Sequence, residues 1–170
     1  MFRICISALT FTALMASCQP TTQIDMSSST PPEDSTWRDR LTEAQYRVLR
    51  QGGTEAPFSS PLNEEFNEGE YHCAGCGALL YVSDHKFDGH CGWPSFDAAS
   101  GNIKYVEDHS HGMHRIEIRC ASCDGHLGHV FNDGPTETGM RHCVNGLSLN
   151  FEPSQSHDDS KNSIEQDSIK

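Results

Sequence analysis

CAGCG (residues 73–77) and CASCDG (residues 120–125) each contain a Cys-x-x-Cys pair, and 43 residues lie between the two pairs. Two residues between cysteines allow a tight turn that directs both thiolates at one ion, and a glycine after the turn lets backbone amides approach sulfur. Two such turns form the closed tetrahedral arrangement that is typical of structural zinc. The predicted zinc ligands are Cys73, Cys76, Cys120 and Cys123.

An alternative interpretation of these four cysteines is a pair of disulfides. One Cys-x-x-Cys pair fits a redox motif equally well, but two similar pairs favour zinc. Disulfides become competitive if the chain is exported, because oxidising compartments capture thiols. A closed metal site has no open position for water, so we expect the zinc to stabilise the fold without taking part in chemistry.

Short elements of regular structure are predicted around these pairs. Thr42 and Gln45 form a capping box that begins a helix, and Gly52 is placed to end it. Runs of β-type residues separated by Gly, Asp, Asn and Pro then follow. These runs are 78–83, 103–107, 115–120, 126–131 and, as the longest strand, 140–151. The pattern favours a mostly β, largely antiparallel domain with a short N-terminal helix.

The length and net charge of the chain limit its domain organisation and the kinds of partner it can bind. The chain has 170 residues, with 12 basic and 24 acidic side chains and a net charge of −12. That length suits one domain with terminal extensions. An acidic protein lacks the basic footprint of a nucleic-acid binder, so we expect no such partner. We predict a flexible linker at 18–36, a folded domain at 37–153 and a disordered acidic tail at 154–170.

The N-terminus has the pattern of an export signal. After Arg3, residues 4–15 form an apolar run of 12 residues, the length of a signal-peptide core. Small residues before Cys18 are similar to a bacterial lipobox, which predicts a signal peptide at 1–17 and acylation of Cys18. The alternative is a plain secretory signal with Cys18 incidental. We expect an exported, membrane-anchored protein facing the periplasm, and Gln19 after Cys18 favours the outer membrane.

Cys143 lies on the longest predicted strand, in RHCVN (residues 141–145). Side chains alternate along a strand, so Arg141, Cys143 and Asn145 are expected on one face. A nearby guanidinium favours the thiolate, which is the nucleophilic form of cysteine. The alternative is that Cys143 is a small core residue, as free cysteines often are, although a buried Arg141 would then need a partner.

Two other segments carry candidate site residues. Cys91 lies in GHCGWPSF (residues 89–96), where glycine and proline predict a shaped loop. Trp93 in this loop is either a core side chain or an aromatic wall for an apolar ligand, and the sequence leaves both open. HLGHVFNDGP (residues 126–135) places two histidines and an aspartate where they could donate protons. We interpret four other histidines as polar surface, namely His109, His111, His114 and His157.

Over residues 38–153 the chain resembles the type B methionine sulfoxide reductases, which act on methionine-R-sulfoxide. The segments that carry the resemblance are CGWPSF (91–96), RIEIRC (115–120), HLGHVFNDGP (126–135) and RHCVNGLSLNF (141–151), in the expected order. The resemblance implies a fold of two antiparallel sheets packed as a β-tent, with structural zinc in many members. His142 and Gly146 stand where other residues are usual in the family, which leaves their effect on rate and pH response open.

The resemblance also implies roles for the candidate residues. Cys143 would be the nucleophile and Cys91 the resolving cysteine. Trp93 and Phe131 would contact the apolar methyl group of the substrate. His126, His129 and Asp133 would position and protonate the sulfoxide oxygen. Arg141 and Asn145 would support the site. Oxidised proteins or peptides would be the substrate, so the protein would act in oxidative stress repair. A sulfenic acid and then a disulfide would form, and a thioredoxin-like donor would reduce the disulfide.

Two other functions fit parts of the sequence. A zinc-ribbon interaction or nucleic-acid module would explain the four cysteines, but it needs a basic face and predicts nothing for Cys91 and Cys143. A general disulfide-exchange protein would use one Cys-x-x-Cys pair, and a tightly held zinc would exclude it. We therefore expect a monomeric methionine-R-sulfoxide reductase with structural Zn²⁺.

Overall fold

The computed structural model describes residues 34–154 of the chain. Two helices come first, α1 (Asp34–Arg40) and α2 (Glu43–Gln51), and nine strands follow within this range. The predicted signal peptide, the lipidation site at Cys18 and the tail from residue 155 onward lie outside the described residues. Over residues 34–154, no helix combines the length and apolar character that spanning a bilayer requires.

The described strands form two antiparallel sheets. A three-stranded sheet has the order β2-β1-β9, and a six-stranded sheet has the order β3-β4-β8-β7-β6-β5. The predicted fold class, mostly β with two antiparallel sheets and a short N-terminal helix, is confirmed, and the structure has a second such helix. The strand bounds are β1 Gly69–Cys73, β2 Leu79–Val82, β3 Lys86–Phe87, β4 Ser95–Phe96, β5 Ile103–Asp108, β6 Arg115–Cys120, β7 His126–Phe131, β8 Arg141–Val144 and β9 Leu149–Pro153.

Helix α2 begins and ends as predicted. The Thr42 hydroxyl accepts a hydrogen bond from the Gln45 backbone N–H at 3.2 Å, and the Gln45 side chain accepts one from the Thr42 backbone N–H at 3.1 Å. Gly52 ends the helix with φ of 67°, in the left-handed region that glycine adopts without steric cost. The buried face of α2, which includes Tyr46 and Leu49, packs into the core.

Helix α1 was not predicted, and it begins three residues before the expected start of the domain. It is seven residues long, and a helix of that length is not stable by itself in water. Its Trp37 side chain is only 1% exposed and joins the core cluster with Leu41. Burial of Trp37 in the core therefore stabilises this helix. So short a segment has no periodic pattern by which the sequence could have predicted it.

The predicted strand 140–151 is wrong, because the segment forms two strands in different sheets. β8 belongs to the six-stranded sheet and β9 to the three-stranded sheet, and a 3₁₀ turn at Gly146–Ser148 separates them. The Glu55 carboxylate accepts hydrogen bonds from the backbone N–H groups of Gly146 at 2.6 Å and Leu147 at 2.9 Å. These bonds take the place of a strand ladder, and Asn145 consequently follows the strand instead of lying on it.

Aromatic side chains fill the space between the sheets. Phe96 of β4 stacks on Tyr81 of β2 at 4.2 Å between ring centroids, and it meets the ring edge of Tyr71 of β1 at 5.0 Å. All three side chains are fully buried. His142 on β8 is also buried and lies edge-on to Tyr81. This core fixes β4 and β8, the two strands on which the candidate site is built.

Candidate active site and metal centre

Cys143 sits near the middle of the six-stranded sheet. On β8 it is paired with His129 of β7 on one side and with Ser95 of β4 on the other. His129 is paired in turn with Glu117 of β6, so the four residues form one row across the sheet. Directly paired residues present their side chains on the same face, which gathers polar groups around the Cys143 thiol.

The loop before β4 brings Cys91 to Cys143. Their Sγ atoms are 3.7 Å apart, and both cysteines are free and partly buried. The loop turns at Gly92, with φ of 88°, and a Cβ at that position would lie 2.7 Å from the Pro57 side chain. Only glycine fits both constraints. The Trp93 indole N–H donates to the Glu55 carbonyl at 3.2 Å, which fixes the loop against the 54–58 segment.

The two thiols titrate as a pair. A hydrogen bond from the Cys143 thiol, helped by the Ser95 hydroxyl and the positive charge of Arg141, lowers the pKa of Cys91 to about 5. The same contact with Cys91, together with burial, raises the pKa of Cys143. From the sequence alone Arg141 was expected to favour the thiolate at Cys143. In the resting geometry Arg141 favours negative charge on both sulfurs, and the first proton is lost from the pair.

A pocket of about 150 Å³ opens over Cys143. Five predicted site residues meet there, and Thr54, Arg115 and Gly128, which were not predicted, complete the lining. Trp93 is a half-buried wall of this pocket instead of a core residue. The predicted site residues in the lining are Trp93, His129, Phe131, Cys143 and Asn145.

Arg141 and Asp133 form an ion pair outside this lining. The guanidinium donates two hydrogen bonds of 2.8 Å to the Asp133 carboxylate. It also lies over the Phe131 ring, 4.7 Å from the centroid. The hydrogen-bonded Asp133 carboxylate raises the pKa of Arg141 beyond its ordinary value. Asp133 therefore orients Arg141 and does not border the space that a substrate would fill.

His129 is held by a charged pair that the sequence did not indicate. Its Nε2 atom lies 2.8 Å from the Asp108 carboxylate, which also receives a 2.6 Å hydrogen bond from Arg115. Hydrogen bonds from Ser110 are the main cause that holds the pKa of Asp108 far below its usual range. Burial lowers the pKa of His129, and Asp108 partly opposes that shift. His129 is therefore oriented by an ionised carboxylate at the edge of the pocket.

A β-bulge brings His126 near His129. The register of β7 against β6 shifts between His126 and Gly128, so the alternation that would separate the two histidines is interrupted. Their rings meet edge-on at 5.5 Å. His126 is buried, its Nδ1 atom lies 2.6 Å from the Glu117 carboxylate, and its Nε2 atom has no partner within the described part of the chain. It stands behind His129, outside the pocket lining.

Asn145 connects strand β7 to the loop that contains Glu55. Its side-chain amide donates to the Leu127 carbonyl at 3.0 Å and accepts from the Glu55 backbone N–H at 3.0 Å. It is almost fully buried, although it lines the pocket. Glu55, which was missed in the sequence, thus links Asn145, Trp93 and the turn after β8. A single acidic residue in a loop has no periodicity, so only its long-range contacts could identify it.

The four predicted zinc ligands converge where the two sheets meet. Cys73 ends β1 in one sheet, and Cys120 ends β6 in the other. The Sγ atoms are 3.7 Å apart for Cys73 and Cys123 and 3.6 Å apart for Cys76 and Cys120, and all four lie within 4.8 Å of one another. A tetrahedral ion with bonds of about 2.3 Å to sulfur requires sulfur separations of about 3.8 Å.

These separations fit a shared metal ion and are too long for disulfides, in which the sulfurs are about 2.05 Å apart. Three of the four cysteines are buried. Gly75, between the first two ligands, approaches the Trp37 ring, since a Cβ on Gly75 would lie 3.5 Å from it. Helix α1 therefore covers the cluster, and the four-cysteine donor set is one that structural zinc prefers.

Residues 41–153 match the model of the SelR domain. The peptide methionine sulfoxide reductase MsrB of Agrobacterium fabrum is 50% identical over 134 residues, which cover 75% of this chain and 99% of that protein. The MsrB of Chromohalobacter salexigens is 49% identical over 133 residues, covering 76% of this chain and 100% of that protein. On this similarity, the chain belongs to the SelR-domain family that includes the peptide methionine sulfoxide reductases MsrB.

Proposed function

We propose that the protein reduces methionine-R-sulfoxide in oxidised proteins and peptides. The observation that carries this proposal is the pocket that Cys143 and Trp93 both line, with the Cys91 sulfur 3.7 Å from the Cys143 sulfur. A methyl sulfoxide has one apolar group and one polar oxygen. Trp93 and Phe131 offer an apolar wall, and His129 offers a proton donor on another side. The relatives named as peptide methionine sulfoxide reductases support the same reaction.

The reductive step begins with proton transfer inside the cysteine pair. As Cys143 attacks the sulfoxide sulfur, its proton passes to the Cys91 thiolate across the short contact. His129, held by Asp108, donates a proton to the sulfoxide oxygen. The attack forms a bond between the Cys143 sulfur and the substrate sulfur. The protonated oxygen then moves to the Cys143 sulfur as this sulfur–sulfur bond and the bond from the oxygen to the substrate sulfur break, so methionine leaves and Cys143 becomes a sulfenic acid. Arg141 lowers the cost of negative charge on either sulfur.

The oxidised enzyme is then returned to the thiol form. The Cys91 thiol attacks the sulfenic sulfur of Cys143, which forms the disulfide and releases water. The two sulfur atoms must approach from 3.7 Å to about 2.05 Å, and the exposed side of the Cys91 loop allows such a shift. A thioredoxin-like protein, which supplies a dithiol, reduces the disulfide by exchange.

The metal and the location complete the proposal. We take the four-cysteine cluster to hold Zn²⁺, which would join the two sheets and stay away from the chemistry. The N-terminal pattern supports an exported lipoprotein anchored through Cys18, and the reductant would then be a thioredoxin-like protein of that compartment.

An assay with separated epimers tests the reaction. Purified zinc-loaded protein is given peptides that contain either the R or the S epimer of methionine sulfoxide, with a small dithiol as reductant. We expect turnover of the R epimer and none above background for the S epimer. Comparable turnover of both epimers would contradict the proposed stereochemistry, and turnover of neither would contradict the reaction.

A further inference from the structure

The hairpin of β5 and β6 carries ionisable groups on two opposite faces. The register pairs Glu107 with Ile116 and Asp108 with Arg115 at the end of the ladder. Because side chains alternate, Asp108 and Arg115 point toward His129, whereas Glu107 points to the other face. His109 and His114 are one residue beyond the last pair, and the same alternation places them with Glu107.

These three residues, which we call the hairpin triad, are close together and exposed. The His109 Nε2 atom lies 3.3 Å from the Glu107 carboxylate. The rings of His109 and His114 are stacked at 4.7 Å between centroids. One donor atom from each of the three side chains lies within 4.8 Å of the others.

We propose that Glu107, His109 and His114 form a second metal site, for a divalent transition ion of the zinc and copper class. Two imidazoles and one carboxylate are the ligand set that such ions prefer, whereas magnesium and calcium prefer oxygen ligands alone. Bonds of about 2.1 Å in tetrahedral geometry place donor atoms about 3.4 Å apart. Exposed side chains reach that spacing by rotamer shifts, and water completes the coordination.

This site is separate from the four-cysteine cluster. Cys120 pairs with Ile103 at the far end of the same two strands, five residues from the Asp108–Arg115 pair. At about 3.4 Å per residue, the two sites are about 17 Å apart. The ion at the triad would tie together the two strand ends that carry Asp108 and Arg115, so it would stiffen the hairpin beside the pocket.

A zinc titration tests the site with the full chain. The protein is first loaded with one zinc per chain and its accessible thiols are alkylated, so that free cysteines cannot bind added metal. Calorimetry with Zn²⁺ should then show a second ion per chain. Replacing one ligand, in His109→Asn or His114→Asn, should weaken this second binding about tenfold or more, since losing even an outer-shell partner costs at least about tenfold.

His111→Asn is the matched control. His111 is exposed in the same turn, lies outside the triad and has φ of 55°, a conformation that asparagine tolerates. We expect it to bind the second zinc as the parent does, while zinc perturbs the NMR signals of the His109 and His114 imidazoles in the parent protein. The proposal is overturned if the parent binds only one zinc, if the two ligand variants keep parent affinity, or if His111→Asn loses as much affinity as they do.

Discussion

At the scale of single residues, the site is built around the row of Glu117, His129, Cys143 and Ser95. Different side chains at this row have different roles in the proposed reaction. Cys143 lies in the pocket, and its contact with Cys91 lowers the pKa of the Cys91 thiol. His129 borders the pocket on the opposite side, where Asp108 fixes its ring. In the proposed mechanism the nucleophile, its base and its acid are three different side chains, and each can be removed separately.

Removal of each cysteine should give a different outcome in a single turnover without reductant. Cys143→Ser should release no methionine, because a serine hydroxyl is not an activated nucleophile here. Cys91→Ser should still release about one methionine per chain, but more slowly than the parent, because the thiolate that accepts the Cys143 proton is gone. Counting methionine and free thiols checks this, and the parent should lose two thiols. If Cys91→Ser releases no methionine, Cys91 belongs to the fold or is essential to the chemical step.

The rate of methionine release should first rise and then fall as the pH increases. It should rise as pH increases through about 5, because the cysteine pair then loses its first proton. It should fall again as His129 loses its proton, at a pH below the ordinary value of 6.5, because burial lowers the pKa of this histidine. His129→Asn should remove the fall at higher pH and slow the reaction about 100-fold or more. A parent rate that stays constant from pH 5 to 8 would contradict these roles.

At the scale of elements, the turn between β8 and β9 is the critical connection. It carries the chain from one sheet to the other, and the Glu55 carboxylate holds it through two backbone N–H groups. Gly146 in this turn packs against Ser60, and a Cβ there would collide with the Ser60 Oγ and Cβ atoms. The family resemblance left the effect of glycine at this position open, and the packing gives it a steric reason.

Gly146→Ala should therefore lower the free energy of unfolding by about 1–3 kcal/mol, the usual cost of overpacking. Denaturant titration of the parent, Gly146→Ala, Ser60→Gly and the double variant measures it. The double variant should be less destabilised than the sum of the two single changes, because Ser60→Gly removes the atoms that collide. Additive effects would show that the two residues do not interact.

The sequence predicted α2, β5, β6 and β7 well, because capping and alternation are local signals. It failed where distant contacts determine the structure. The alternation of Leu147, Leu149 and Phe151 suggested one strand, but bonds from Glu55, 91 residues away along the chain, turn it. The meeting of His126 and His129 likewise depends on a bulge that no local pattern indicates. Five predicted site residues line the pocket, whereas Asp108, Glu55 and Glu117 contact site residues from other elements and were missed.

At the scale of the whole molecule, the four-cysteine cluster joins a strand end of one sheet, at Cys73, to a strand end of the other, at Cys120. Cys123→Ser should lower the melting temperature strongly and abolish stoichiometric zinc, because metal binding contributes directly to folding free energy. Cys91→Ser is the matched control, since Cys91 is a free thiol outside the cluster and its loss should leave zinc content unchanged. Wild-type melting and metal content in Cys123→Ser would exclude the metal centre.

The proposed lipid anchor at Cys18 also concerns the molecule as a whole. Cys18→Ala should release the protein into the soluble exported fraction or leave its signal uncleaved, because the acylated thiol would be lost. Cys5→Ala, which changes a cysteine inside the predicted signal core, should leave membrane attachment as it is. Fractionation of cells and mass measurement of the mature N-terminus follow both variants. Membrane attachment with a cleaved signal in Cys18→Ala would rule out lipidation at this position.

The pairing of β1 with β9 has a consequence for how the chain becomes a folded protein. All five residues of Gly69–Cys73 are paired with Leu149–Pro153, so the first described strand and the last one complete each other. As the chain emerges from a ribosome, the three-stranded sheet stays incomplete until residue 153 is free. The described strands can therefore complete their pairing only after β9 has been released, so this part of the chain should finish folding as one unit and not strand by strand.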